Sequence, residues 1–122
     1  LSLKQFGVEE PKEHDDFLAR YIEIVKANIS NPELDVSVIY EALGMSRTNF
    51  YRKVKTVTGL SPIELIKNIR LEAGAKLLKE SDMNISEIAQ HIGFSSRSYF
   101  ARSFKAVYGM SPTEYQETES QN

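Results

Sequence analysis

The chain states the same pattern twice. Val36 to Glu64 aligns with Ile85 to Glu114, with identical pairs at Ser37/Ser86, Ile39/Ile88, Gly44/Gly93, Ser46/Ser96, Arg47/Arg97, Phe50/Phe100, Arg52/Arg102, Lys55/Lys105, Val57/Val107, Gly59/Gly109, Ser61/Ser111, Pro62/Pro112 and Glu64/Glu114. One residue is inserted in the second copy, between Gly93 and Ser96. Such a repeat means one supersecondary unit used twice. In the first copy Val36, Ile39 and Leu43 have helical spacing over about 35–43. Gly44 follows, where a left-handed backbone costs glycine little. Ser46 suits the N-cap of a second helix, whose inward residues are Phe50, Val54 and Val57 and which stops at Gly59. The second copy reads alike: Ile85, Ile88 and Ile92, then Gly93, Ser96, and an inward Phe100, Phe104 and Val107 before Gly109. Two short helices joined by a glycine turn are a helix-turn-helix.

Other segments are helical too, and the fold class is all-α: two helix-turn-helix subdomains joined by a central linker helix. Phe17, Leu18, Tyr21, Ile22, Val25 and Ile29 form one apolar stripe, predicting a helix from about Asp15 to the Asn31-Pro32 break. Ser61, Pro62 and Glu64 are a capping box with proline at the first helical position. They open a helix to about Glu80, with Ile63, Leu65, Ile66, Ile69, Ala73, Leu77 and Leu78 as its apolar residues. At about 1.5 Å per residue it is roughly 27 Å long. Ser111-Pro112 opens a short last helix the same way. The expected organisation is an arm at 1–14, a domain at 15–117 and a tail at 118–122. Within the domain, the helix-turn-helix units fall at about 35–59 and 85–109 and the linker helix at about 61–80. The start at Leu1 rather than Met leads to the expectation of a piece cut from a longer chain.

The net charge is −2, but its distribution is uneven. Residues 1–43 are acidic, 44–79 carry Arg47, Arg52, Lys53, Lys55, Lys67, Arg70, Lys76 and Lys79 against Glu64 and Glu72, and 93–110 hold three basic residues and no acid. Two basic blocks in an acidic background suit a polyanionic partner. With 41% hydrophobic residues the chain can bury a core. It has no cysteine, which excludes disulfides, thiolate metal sites and thiol catalysis, and fits a reducing compartment. No apolar run approaches the roughly 20 residues of a membrane span. His14 and His91 are isolated, without metal-ligand spacing around them. No nucleophile–base pair or phosphate-cradling loop is readable, so the reading is of a chain that is not an enzyme and has no cofactor and no metal.

The second helix of each copy carries the functional signal. Opposite Phe50, Val54 and Val57 lie Arg47, Thr48, Tyr51, Arg52 and Lys55; the matching face is Arg97, Ser98, Ala101, Arg102 and Lys105. Neither face holds an acid. A single Arg or Lys is more often a solvated side chain, but the matched set is not so explained. In a helix-turn-helix the start of the second helix meets base edges in the major groove. Arg bonds guanine in a bidentate way and Thr or Ser bonds a base edge. On these faces the arginines, Thr48 and Ser98 have the chemistry to meet base edges. Lys53, Lys55 and Lys105 suit phosphates. Tyr51 fits either a base contact or a resting place on the surface, while Phe50, Phe100 and Phe104 belong to the core. The alternative is a helical protein-interaction module that keeps the fold without specific DNA binding.

The stretch from Ile85 to Lys105, continued by Gly109-Met110-Ser111-Pro112 and Tyr115, resembles the AraC/XylS family of bacterial transcription regulators. Gly44-Met45-Ser46-Arg47, Tyr51 to Lys55, Arg70-Leu71 and Leu77-Leu78 fit as well. The resemblance covers about 15–117 and implies a seven-helix domain whose two units enter successive major grooves of double-stranded DNA. By position, the resemblance implies base reading by Arg47, Thr48, Tyr51 and Arg52 in the first unit and by Arg97, Ser98, Ala101 and Arg102 in the second. The first helix and the Asn31-Pro32-Glu33-Leu34-Asp35-Val36 turn also resemble the output domain of hybrid two-component sensors. That implies a parent chain with receiver and kinase domains in a phosphorelay, an activator of carbohydrate-utilisation genes, and RNA polymerase as a candidate partner. It implies a cytoplasmic domain without membrane contact, in a parent compatible with an inner-membrane anchor. Three residues depart from the family pattern. Tyr40 stands where a small residue is usual (Ala89 in the second copy), which predicts an altered angle in the first helix pair. Gly74 replaces an alanine, predicting a linker helix weaker by up to about 1 kcal/mol. Gln116 follows Tyr115 where a basic residue is common.

Overall fold

The computed structural model describes residues 12–118, and these form seven helices and no strand. They are α1 (Lys12–Ala27), α2 (Val36–Ala42), α3 (Arg47–Thr58), α4 (Pro62–Glu80), α5 (Ile85–His91), α6 (Arg97–Tyr108) and α7 (Pro112–Glu117). The proposed arm and tail fall mostly outside the described residues, although 12–14 already belong to α1.

The chain divides into two compact units, one of residues up to 28 with 34–69, the other of 29–33 with 70 onward. In the first, α1 buries Phe17, Leu18, Tyr21 and Val25, and α2 and α3 bury Val36, Ile39, Phe50, Val54 and Val57. Phe50 is its centre: the Tyr21 ring stacks on it at 5.7 Å, and Phe17 meets it edge-on at 6.5 Å. Burying one such ring stabilises by roughly 1.5–3 kcal/mol. The Tyr21 hydroxyl does not go unpaired; it donates to the Pro62 carbonyl at 2.9 Å. Burial pushes its phenol well above the ordinary range.

In the second unit Leu71, Ala75 and Leu78 of α4 pack with Ile85, Ile88, Ala89, Ile92, Phe94, Phe100 and Phe104. Phe104, Tyr108 and Tyr115 close the end of this core, with Tyr108 stacked on Phe104 at 4.3 Å. Partial burial, with Glu72 and Tyr115 nearby, moves the Tyr108 phenol up to about 12.

Three expectations change. α1 ends at Ala27, not Asn31. The Asn28 side-chain amide donates back to the Ile24 carbonyl at 2.8 Å and closes the last turn, and Ile29 leaves the α1 stripe and packs against the second core. Ile63 is 67% exposed, because at 3.6 residues per turn it points away from Leu65. Val107 is 56% exposed although Val57 is fully buried; the Tyr108 and Tyr115 rings finish the second core and leave Val107 outside it. Gly74 faces the second core: a Cβ there would lie 2.8 Å from Ile92 Cδ1 and 3.1 Å from Phe100 Cε1, both side-chain atoms.

Candidate nucleic-acid interface

The two turns that present α3 and α6 are built alike. After α2, Gly44 has φ +67° and donates to the Glu41 carbonyl, and Met45 donates to the Tyr40 carbonyl at 2.9 Å. After α5, Gly93 has φ +86° and donates to Gln90, and Phe94 donates to the Ala89 carbonyl at 2.9 Å. A positive φ strains any residue with a Cβ. Ser46 then accepts the Asn49 amide and Ser96 the Tyr99 amide, capping α3 and α6. Both helices end at a left-handed glycine, Gly59 and Gly109.

Tyr40 does not disturb its turn. Its half-buried ring packs tilted on Phe50 at 5.7 Å, and the hydrogen bonds around Gly44 match those around Gly93. The backbone hydrogen bonds of the turn are thus kept around this large residue.

Each second helix buries one side and exposes the other. In α3, Arg47, Thr48, Arg52 and Lys55 are exposed and Tyr51 is half-buried; in α6, Arg97, Ser98, Arg102 and Lys105 are exposed and Ala101 is half-buried. No acidic residue lies in either helix. The same cap and core thus hold a cationic, hydrogen-bonding face outward in both copies.

The details separate the cations. The Arg47 guanidinium lies 5.2 Å from the centre of the Tyr51 ring, a cation–π pair one turn apart. Tyr51 thus holds an arginine in place, while Ala101 offers Arg97 no ring. Lys53 lays its ammonium 4.9 Å from the Phe17 ring, at the edge of the core. Lys55 donates to the Gly59 carbonyl at 2.9 Å. The capping-box carboxyls are held below their usual range: Glu64 chiefly by hydrogen bonds from Ser61, with Lys55 adding to it, and Glu114 by those from Ser111, with Lys105 adding.

Two members of the expected basic block have partners within the domain. Arg70 is buried at 8% exposure and donates to the Gly93 and Asn31 carbonyls. Lys79 donates to Thr118 and sits 4.8 Å from the Tyr115 ring. A count of charges along the chain cannot see this, because both partners lie far away in sequence. Among the described residues, no group of three or more His, Cys, Asp or Glu could hold a metal, and no helix is long and apolar enough to cross a membrane.

Comparison with known proteins agrees with this geometry. The family described as "Helix-turn-helix domain" matches residues 39–118. Histidine kinase P4 of Formosa agariphila is 36% identical over 88% of this chain and 8% of its own length. The xylose operon regulatory protein of Escherichia coli is 32% identical over 72% of this chain and 22% of its own. The chain therefore spans less than a quarter of either relative. Among solved structures, the C-terminal domain of AraT, a response regulator from Geobacillus stearothermophilus, is 30% identical with a TM-score of 0.73, covering 87% of this chain and 88% of that one. The DNA-binding domain of AdpA, solved in complex with a target DNA, is 27% identical with a TM-score of 0.71 over 81% of this chain and 88% of its own. Repeated turns, seven helices and these likenesses together show that the chain belongs to the AraC family of helix-turn-helix DNA-binding domains of transcription regulators.

Proposed function

We propose that this domain binds double-stranded DNA in a sequence-specific way, as the output end of a regulator governed by a two-component phosphorelay. The observation that carries DNA binding is the pair of acid-free cationic faces on α3 and α6, each behind a glycine turn and a serine cap. Arg47, Thr48, Tyr51, Arg52, Arg97, Ser98, Ala101 and Arg102 read bases; Lys53, Lys55 and Lys105 meet phosphates. Lys55 and Lys105 occupy equivalent places near the following capping box, suited to a backbone running past each helix. The phosphorelay is supported by likeness to a histidine kinase and to a response-regulator output domain. A role as an activator of carbohydrate-utilisation genes is supported by likeness to the xylose operon regulator. Receiver and kinase domains in the parent chain and contact with RNA polymerase belong to the same reading, as do a cytoplasmic location and the division into an arm, the domain at 15–117 and a tail.

A salt titration of binding to duplex DNA is the test. The logarithm of the affinity falls with the logarithm of salt at a slope of about −0.9 per phosphate contact. A flat titration, or no binding at low salt, overturns the proposal in favour of a protein-interaction module.

A further inference from the structure

The connection between α1 and α2 does more than join them. Residues 29–33 belong to the second unit, and several of their contacts there fall around the turn before α6. Ile29 packs on the second core. The Ser30 hydroxyl donates to the His91 carbonyl at 2.7 Å, at the end of α5. Arg70 of α4 then donates through Nη1 to the Gly93 carbonyl at 2.9 Å and through Nη2 to the Asn31 carbonyl at 2.6 Å. The backbone fit is close: a Cβ on Gly93 would lie 2.3 Å from the Ile29 carbonyl oxygen and 2.9 Å from Arg70 Cζ. Gly44, the equivalent residue of the first turn, meets nothing within 4 Å.

We infer that residues 29–33 form a strap over the second turn, that Arg70 clamps it, and that Arg70 is thereby a positioning residue for base reading by α6. The inference rests on the assignment of α6 as a reading helix. A buried guanidinium is costly to desolvate, and burial alone lowers its pKa here. Its Nε is buried without a hydrogen-bond partner. A plain apolar side chain would fill the space at less cost, so the position uses what only a fork of N–H donors supplies: two carbonyls, one on the strap and one on the turn, held at a fixed spacing. Gly93 is three residues before Ser96, which caps α6, and Arg97 and Ser98 are the first residues after the cap. A turn free to shift by an ångström would move those side chains off the base edges. Strap and helix start also share a shallow pocket of about 430 Å³, lined by Ser30 and Pro32 on one side and Ser96 and Arg97 on the other.

The test compares the intact chain with Arg70→Met, Arg70→Lys and Ser30→Ala. Backbone hydrogen exchange reads the strap. Arg70→Met is expected to speed exchange at 29–33 and 92–97 by about tenfold or more, leaving the α3 amides unchanged, with Arg70→Lys between the two. DNA binding reads the consequence. A duplex selected from a random pool is compared with one whose α6 half-site, located by the Arg102→Ala variant, is scrambled. Arg70→Met is expected to cut the preference for the intact duplex by on the order of tenfold while affinity for the scrambled one stays within about twofold, and Arg70→Lys restores part of it. Exchange at 29–33 and 92–97 that does not respond to Arg70→Met overturns the strap. Released amides with an unchanged preference overturn the positioning role. An intact chain with no preference between the two duplexes overturns the base-reading assignment instead. Should Arg70→Met fail to fold, Arg70→Lys and Ser30→Ala decide by the same two readouts.

Discussion

Gly44 and Gly93 hold the same place in the two helix-turn-helix units, and a methyl group would be received differently at each. The backbone hydrogen bonds around them match, and both have positive φ. Beyond the turn the likeness stops. Gly44 faces open space, whereas Gly93 lies against the Ile29 carbonyl and the Arg70 guanidinium. On α3 the Tyr51 ring lies beside the Arg47 guanidinium, whereas Ala101 at the equivalent place on α6 has no ring to offer. The helix-turn-helix is thus specified locally, by glycine, serine and two apolar faces. What surrounds it is specified separately in each unit and decides how firmly the reading helix is held.

The largest expected effect would strike both units equally. Phe50→Ala and Phe100→Ala each remove a fully buried ring at the centre of a unit, and each should cost about 3–5 kcal/mol in denaturant unfolding. A cost below about 1 kcal/mol at either would show that its unit lacks the packing described. The next effect should separate the units. Gly44→Ala should cost about 1–2 kcal/mol, the strain of a left-handed backbone alone. Gly93→Ala adds a collision with a backbone carbonyl, and its cost should exceed that of Gly44→Ala clearly. Equal costs would deny the close strap.

Base reading comes next. Arg52→Ala and Arg102→Ala should each weaken specific binding by about 1–3 kcal/mol and relax preference at one or two base pairs, whereas Lys55→Ala should weaken all duplexes alike. Arg variants that lose specific and random DNA equally would remove their base-reading role. A smaller change tests the asymmetry of the faces. Tyr51→Ala should cost about 0.5–1 kcal/mol of specific affinity by freeing Arg47, with Ala101→Tyr moving α6 the other way. The smallest effect concerns acid. Glu64 and Glu114 have carboxyl pKa values below the ordinary 4.5. Their contribution to stability is therefore present above that value and lost as pH falls through the lowered one. Glu64→Gln and Glu114→Gln should each flatten the acid limb of a stability–pH curve by similar small amounts; an unchanged limb would show that the boxes do not hold the charge.

The residues legible in sequence are those whose roles are settled within one turn of helix. Ser46 and Ser96 as caps, the capping boxes at Ser61 and Ser111, and the outward Arg52 and Arg102 follow from spacing alone. Arg70 was not legible: its carbonyl partners lie 23 and 39 residues away, and in sequence it reads as one more cation of a basic block. The exposure of Val107 and the surroundings of Gly74 were not legible for the same reason. The worth of a missing Cβ depends on Ile92 and Phe100, and the exposure of Val107 depends on rings contributed by Tyr108 and Tyr115. Local signals say which helix carries the cationic face; distant contacts say how its turn is held.

The central claim is that both repeats read DNA, and a base-protection footprint of this chain on a selected duplex tests it most directly. The account predicts protection in two major grooves, centred about 10 base pairs apart, on a site that is not palindromic, because Thr48 and Tyr51 face the bases in one half and Ser98 and Ala101 in the other. Protection confined to a single groove, or a site with two identical halves, would contradict it.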